Sequence, residues 1–398
     1  MAIAEKMRGF VENGSMIRKM FEEGSRLKKI YGEDKVFDFS IGNPNVPPPE
    51  ALKRTLRAVV EVDAPSLHAY MPNAGLPETR DAIAARLRAD QGVAVEGGQI
   101  VVTCGAAGAL NIIFKALLDP GDEVLVSSPY FVEYGFIADN HGGVLKPVPS
   151  LPDFSLDLPA LEAAMGPRTK IVLVNMPNNP TGQIYSAQSL ARLGEAMDRA
   201  GRKHGRAIYL VSDEPYRKIV YGGAEVPSPL ASYSNSIVAT SYSKDLSLPG
   251  ERIGYAAVNP AADDIQALMG ALILANRILG FVNAPSLMQR VIADIGNACV
   301  DVSIYERKRD LLAAGLRAAG YEFALPSGAF YLFPKSPFAD EARFVDLLKE
   351  ENILVVPGSG FGTPGYFRIA YCVDDKVIEG ALPRFERAMR KASQGRRP

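Results

Sequence analysis

The sequence predicts an α/β fold: a mostly parallel central sheet covered by helices, with a smaller α+β domain built from both chain termini. Three observations predict it. Between about residues 99 and 258, short apolar runs recur ("IVVT", "EVLVS", "KIVLVN", "AIYLVS", "SIVATS", "RIGYAAV"). They are continuous rather than alternating, as in strands buried on both faces. Segments of helical periodicity such as "AAGALNIIFKALL" and "SLARLGEAMDRAGRKHG" lie between them, the arrangement of strands joined by helical crossovers. After about residue 318 the pattern changes to "YEFALPSGAFYLFP", "FVDLLKEENILVVPG" and "YFRIAYC", which reads as a strand pair, a helix and further strands.

Taken in order, residues 1 to 30 alternate charged and apolar residues at helical spacing, and "VFDFSIGNPNVPPPE" then turns extended and proline-rich. This predicts an arm, residues 1–45, that also supplies part of the small domain. The large domain is expected over 46–288 and the small C-terminal domain over 289–398. A helical stretch from about 261 to 318 joins the two. Its most apolar part, "IQALMGALILAN", is too short to cross a bilayer, which takes roughly 20 residues, and reads as a buried helix. The basic tail "RKASQGRRP" reads as frayed.

With 398 residues, 47% hydrophobic and 22% charged, the chain can bury a large core, and two packed domains are the expectation. A formal net charge of −1, with Lys and Arg spread along the chain, makes nucleic acid and anionic membranes poor partners. "MAIAEKMRGFVENGS" lacks the continuous apolar segment of a secretory signal. The cysteines Cys104, Cys299 and Cys372 are odd in number and far apart, which argues against a disulfide framework and fits a reducing cytoplasm. His68, His141 and His204 have no Cys or His at ligand spacing, so no metal is expected.

In open parallel sheets, ligands sit beyond the carboxyl ends of the strands, so the residues that follow each apolar run are the candidates for chemistry. After "IVVT" comes "CGAAGAL", where small residues open a helix whose free N–H groups and dipole favour a phosphate. After "KIVLVN" a turn presents Asn179, and after "AIYLVS" come Asp213 and Tyr216. After "SIVAT" come Ser241, Ser243 and Lys244, with Arg252 eight residues beyond the lysine. One crevice thus gathers a phosphate site, a carboxylate, a phenol, an amide and an amine. Pyridoxal 5′-phosphate needs that set: an amine for the Schiff base, a carboxylate to keep the pyridine nitrogen protonated, and donors for O3′ and the phosphate.

Here the sequence resembles the class I and II pyridoxal-phosphate aminotransferases of fold type I, from "FSIGNP" to "FRIAY", with "SYSK" and a following "RIG" as its most specific signature. The resemblance implies that Lys244 forms the Schiff base, that Asp213 partners the pyridine nitrogen, and that Tyr216 and Asn179 donate to O3′. It places the phosphate on backbone amides of Gly105, Ala106 and Ala107, with Ser241, Ser243 and Arg252 around it. Tyr70 matches a tyrosine that reaches the neighbouring subunit's phosphate, hence a homodimer. Phe131 matches the ring that stacks on the cofactor. Arg368 matches the arginine that grips the substrate α-carboxylate, with Gly42 and Asn179 facing it. The implied reaction moves an amino group between an L-amino acid and a 2-oxo acid. One departure is Glu251, where an aromatic residue usually precedes the arginine.

Taken singly, these residues have plain structural readings. Lys244 is a loop cation, Asp213 a helix cap, Tyr216 core packing, Asn179 a turn former and Arg368 half of an ion pair. Their order along the chain carries the functional reading. Tyr130 competes with Phe131 for the stacking position, and Ser243 for a place one step removed from the phosphate. Arg277, interrupting an apolar run, is read either as a receiver for an acidic substrate side chain or as a structural salt bridge. "GFGTPG" matches dinucleotide-site spacing, but Pro364 and the extended run after it deny the required helix. A C–S β-lyase or other amino-acid enzyme on the same scaffold, and a non-catalytic ligand-sensing regulator, are the alternative readings.

Overall fold

The computed structural model describes residues 2–12, 16–62 and 64–394. Two helices, Glu5–Glu12 and Met16–Tyr31, lead into β1 (Phe37–Asp38). Seven strands then form the large sheet: β2 (Ile100–Thr103), β3 (Glu123–Ser128), β4 (Val144–Pro149), β5 (Thr169–Asn175), β6 (Tyr209–Asp213), β7 (Ser236–Ser241) and β8 (Gly254–Val258). Their spatial order is β2-β8-β7-β6-β5-β3-β4, parallel except for β8, which runs antiparallel to β2 and β7. The six apolar runs are all strands, with the buried faces their continuous apolarity predicts. β4 was not legible as a strand, because "VLKPVP" contains two prolines. At the sheet edge their missing N–H groups cost nothing, since only β3 pairs with this strand.

The remaining strands are short: β9 (Tyr331–Leu332), β10 (Ile353–Leu354), β11 (Val356–Pro357) and β12 (Phe367–Ala370). β12 lies between β11 and β9 in an antiparallel sheet, and β1 pairs with β10 in parallel. The strand pair expected in "YEFALPSGAFYLFP" is reduced to β9 and isolated bridges at Gly328 and Lys335, with Pro326 and Pro334 interrupting the ladder. One apolar core joins Phe37, Phe39 and Val46 from the N-terminal segment to Phe330, Phe344, Phe367 and Phe385 from the C-terminal one. Separate cores fill the two faces of the large sheet.

Two sequence expectations need correction. The helix Ile265–Ile278 is buried along one face only, through Leu268, Leu272 and Ala275, and leaves Leu274 and Ile278 exposed. The basic tail is helical as far as Gln394, where Arg390 pairs with Glu386 at 2.7 Å and Lys391 with Glu351 at 3.0 Å. Residues 395–398 lie outside the described residues. "GFGTPG" is a single helical turn and loop between β11 and β12, as its proline requires. No described helix is long and apolar enough to cross a membrane.

Candidate active site

Register fixes the floor of the site. Asn175 pairs with Asp213 across β5 and β6, Asp213 with Ala239 across β6 and β7, and Ser241 with Gly254 across β7 and β8. The polar residues that end these strands are thereby brought to one edge of the sheet, beneath a cavity of about 530 Å³. Of the residues given a role at the site from the sequence, all line this cavity except Gly105 and Tyr70; the alternatives Tyr130 and Arg277 do not line it. Gly105 sits behind the wall and acts through its shape. Its φ of +73° suits glycine, and a Cβ there would come within 2.8 Å of Arg252 Nη2. Tyr70 is 96% exposed and does not line the cavity. Arg277 is exposed on the helix Ile265–Ile278, without an ion-pair partner among the described residues.

One end of the cavity is built for an anion. The helix Gly105–Leu117 starts there, and its N-cap, Cys104, contributes no side-chain hydrogen bond, so the first-turn amides at Ala106 and Ala107 stay available. Ser241 and Ser243 are buried beside it, and Arg252, in the left-handed region at φ 50°, donates from Nη1 to Pro249 O at 3.0 Å.

At the opposite end, Arg368 on β12 is almost fully buried and has no ion-pair partner among the described residues. Nη1 donates to Asn179 Oδ1 at 2.9 Å and Nη2 to Ser40 O at 2.6 Å, while buried Nε has no acceptor. Tyr331 and Phe361 hold the guanidinium between ring centroids at 4.6 and 4.9 Å. A buried cation with spare donors is a receptor for a carboxylate.

Between the two ends lies Lys244. Its Nζ donates to Gly42 O at 2.8 Å and lies 5.5 Å from the Phe330 ring centroid. Burial, with Arg368 and Arg252 nearby, draws its basicity down to about 8. Asp213, at the floor, is buried; loss of hydration pushes its pKa up to about 7, against a hydrogen bond from Tyr134 that lowers it. Its Oδ1 has no partner. Tyr216 reaches in from beyond β6, and its hydroxyl lies 2.7 Å from that of Tyr331.

Three residues of the site were not found from the sequence. Asn175 closes the run "KIVLVN" itself, so a search of the residues after each run passes over it; its Nδ2 donates to Asp213 O at 2.8 Å and its Oδ1 accepts from Asn179 N at 2.7 Å. Tyr134 follows Phe131 at helical spacing, a signal that it shares a face with the stacking candidate, and donates to Asp213 Oδ2 at 2.6 Å. Tyr331 comes from β9 in the other sheet, and only the packing of the two sheets brings it in. Between Tyr130 and Phe131, the structure selects Phe131 as the cavity-lining ring.

The sequence profile of the family described as aminotransferase class I and II matches residues 34–385. The aspartate/prephenate aminotransferase of Thermus thermophilus is 35% identical over 88% of this chain and 90% of its own length. An amino transferase from Eubacterium rectale has a superposable structure, with a TM-score of 0.95 and 40% identity over 98% of this chain and 99% of that one. The aspartate aminotransferase of Thermus thermophilus with maleate gives 0.84 at 31% identity, covering 98% of this chain and 100% of that one. The chain belongs to the class I and II aminotransferases and has their fold type I architecture. It is a transaminase, which sets aside the lyase and regulator readings. Members of this family use pyridoxal phosphate, and its substrates are amino acids and oxo acids.

Proposed function

We propose that the cavity binds pyridoxal 5′-phosphate and that Lys244 is the amine that carries the reaction between an L-amino acid and a 2-oxo acid. The observation that carries this reading is Lys244 itself: a partly buried amine of lowered basicity, free of any carboxylate partner among the described residues, facing a cavity with an anion site at each end. The unpartnered, buried Oδ1 of Asp213 fits a protonated pyridine nitrogen, and the uncapped helix start with Ser241, Ser243 and Arg252 fits a phosphate. Phe131 forms the wall against which a ring would stack. Tyr216 and the Nδ2 of Asn179 are the donors available for a ring hydroxyl.

When bound, the cofactor accepts the amino group and draws the electron pair released at Cα into its ring. The chain's own residues do the rest. Arg368 fixes the α-carboxylate through its spare donors, which sets the direction of Cα. Lys244 Nζ then takes the Cα proton as a general base and returns it as a general acid on the way to the 2-oxo acid. A pKa near 8 suits both roles at neutral pH. Asp213, as a carboxylate, holds a proton on the pyridine nitrogen.

The division into 1–45, 46–288 and 289–398 is supported by the core that unites the first and last segments. Because Arg368 and Tyr331 come from that unit and Lys244 and Asp213 from the large sheet, substrate bridges the two. Exposed Tyr70, Leu274 and Ile278 support a homodimer in which Tyr70 reaches the neighbouring site. Free, widely separated cysteines support a cytoplasmic setting.

The relatives are named for aspartate, prephenate and, in Streptococcus mutans, asparagine, so aspartate is the first donor to test. The cavity's three cations, Lys244, Arg252 and Arg368, all have roles in this scheme. Among the described residues the cavity offers no further cation to a second carboxylate, and exposed Arg277 from a neighbouring copy is the candidate to receive it. The test is an absorption spectrum of the purified protein with single amino acids, and a parallel assay of oxo-acid product. Wild type should show a cofactor band that shifts with amino acid as oxo acid appears. Lys244→Ala should retain the cofactor and lose turnover; an active Lys244→Ala overturns the assignment.

A further inference from the structure

Resting on the pyridoxal-phosphate reading above, we propose that Tyr134 is a positioning residue for the cofactor: by donating to Asp213 Oδ2 it orients that carboxyl, favours its charged form and leaves Oδ1 as the acceptor that meets the pyridine nitrogen. The geometry gives the hydroxyl no other task. Tyr134 is completely buried, in the first turn of the helix Glu133–Asn140, and among the described residues the one hydrogen bond of its hydroxyl is the 2.6 Å contact to Asp213. Asp213 in turn has no ion-pair partner among the described residues; Oδ1 is orphaned, and Tyr134 is the single donor to its carboxylate. Its main chain is pinned separately, by Asn175 Nδ2 and by pairing on both sides of β6. Backbone position is thus set by the sheet, and carboxylate orientation by Tyr134.

The same ring braces the cavity wall. Phe131 packs edge-on against Tyr134, with centroids 5.7 Å apart and planes at 87°. One side chain therefore fixes both the ring expected to stack on the cofactor and the acid expected beneath it.

The charge state follows from what surrounds Asp213. Tyr134 faces it from the helix, and Tyr216 follows it in the chain. Glu214 is adjacent and tied to Arg217 and Ser212, so it brings a like charge and no proton donor. Lys244, across the cavity, bonds to Gly42 instead. A buried carboxylate without a cation tends to take up a proton, and burial here acts in that direction; the Tyr134 hydroxyl is the one hydrogen bond opposing it. A protonated Asp213 would lack the negative charge that favours a proton on the pyridine nitrogen. Removing the hydroxyl should therefore weaken cofactor binding through Asp213, the hydroxyl's hydrogen-bond partner.

The test titrates pyridoxal phosphate into cofactor-stripped wild type, Tyr134→Phe, Asp213→Asn and the double variant, reading Kd by absorbance across pH 6 to 9. Tyr134→Phe, which keeps the ring and its packing, should raise Kd by about tenfold to a hundredfold at neutral pH. It should also move the pH below which binding weakens upward. In the Asp213→Asn background the same substitution should change Kd by less than about twofold. An unchanged Kd and pH profile in Tyr134→Phe overturns the proposal, and so does an equal loss in both backgrounds, which marks a packing role only. Should Tyr134→Phe fail to fold, Tyr134→His, which keeps a ring N–H donor, takes its place: affinity within threefold of wild type supports the proposal and a larger loss refutes it. Failure of wild type itself to bind pyridoxal phosphate would instead sink the cofactor reading.

Discussion

Arg368→Lys keeps the positive charge and removes the fork, so it isolates what the guanidinium geometry contributes. Arginine has five N–H donors. In this protein two are spent, on Asn179 Oδ1 at 2.9 Å and Ser40 O at 2.6 Å, and the buried Nε–H is among those left over. A substrate α-carboxylate that accepts two spare donors gains two charge-assisted hydrogen bonds of about 1.5–3 kcal/mol each. A lysine ammonium cannot make both while also satisfying Asn179 and Ser40, and it loses the stacking between Tyr331 and Phe361. The expected loss is about 2–4 kcal/mol of transition-state stabilisation, or roughly 30-fold to 1,000-fold in kcat/KM, mostly through KM. The assay is steady-state transamination with the best amino acid and with the amine that lacks its carboxylate. Wild type should prefer the amino acid strongly and Arg368→Lys far less. A kcat/KM within about threefold of wild type, or an unchanged preference, would refute the carboxylate role.

Gly42→Ala would place a Cβ 2.0 Å from Tyr331 Oη. Tyr331 must then leave, breaking its 2.7 Å contact with Tyr216; a folded protein of at least about tenfold lower kcat/KM is expected, and full activity would show that this contact is dispensable. In the cofactor-free protein, Asp213 at about 7 holds a proton that the unfolded chain releases near its ordinary 3.8, so its contribution to stability falls as pH rises through that window. Lys244 at about 8, against an ordinary 10.5, is neutral in the folded state while the unfolded chain is charged, so its contribution rises with pH between those values. Cofactor should therefore raise the melting temperature most between pH 7 and 8, and a uniform increase from pH 5 to 10 would contradict this assignment. Arg277→Ala should lower the aspartate-to-alanine ratio of kcat/KM if that side chain serves a partner's site; an unchanged ratio, in a dimer confirmed by light scattering, removes it from substrate recognition.

The strands that carry the site were legible because burial on both faces demands continuous apolar runs, and the site residues were legible because a parallel sheet presents its ligands just after those runs. That local logic reached Asp213, Tyr216, Ser241 and Lys244 without any knowledge of neighbours. It failed where the deciding neighbour is distant in sequence. β4 looked unlike a strand until its edge position excused its prolines. Tyr331 lies 115 positions from Tyr216, and Tyr134 lies 79 from Asp213; both bonds exist because separate elements pack together. Arg277 looked eligible for the cavity and stands outside it, since hydropathy does not say which way a helix turns. The sequence by itself determined the six apolar strands, their order along the chain and the chemical types that follow them, since these follow from local pattern. The pairings, the orphaned oxygen of Asp213 and the lowered basicity of Lys244 were decided only by tertiary structure, because hydrogen-bond satisfaction and desolvation depend on everything that surrounds a group in space.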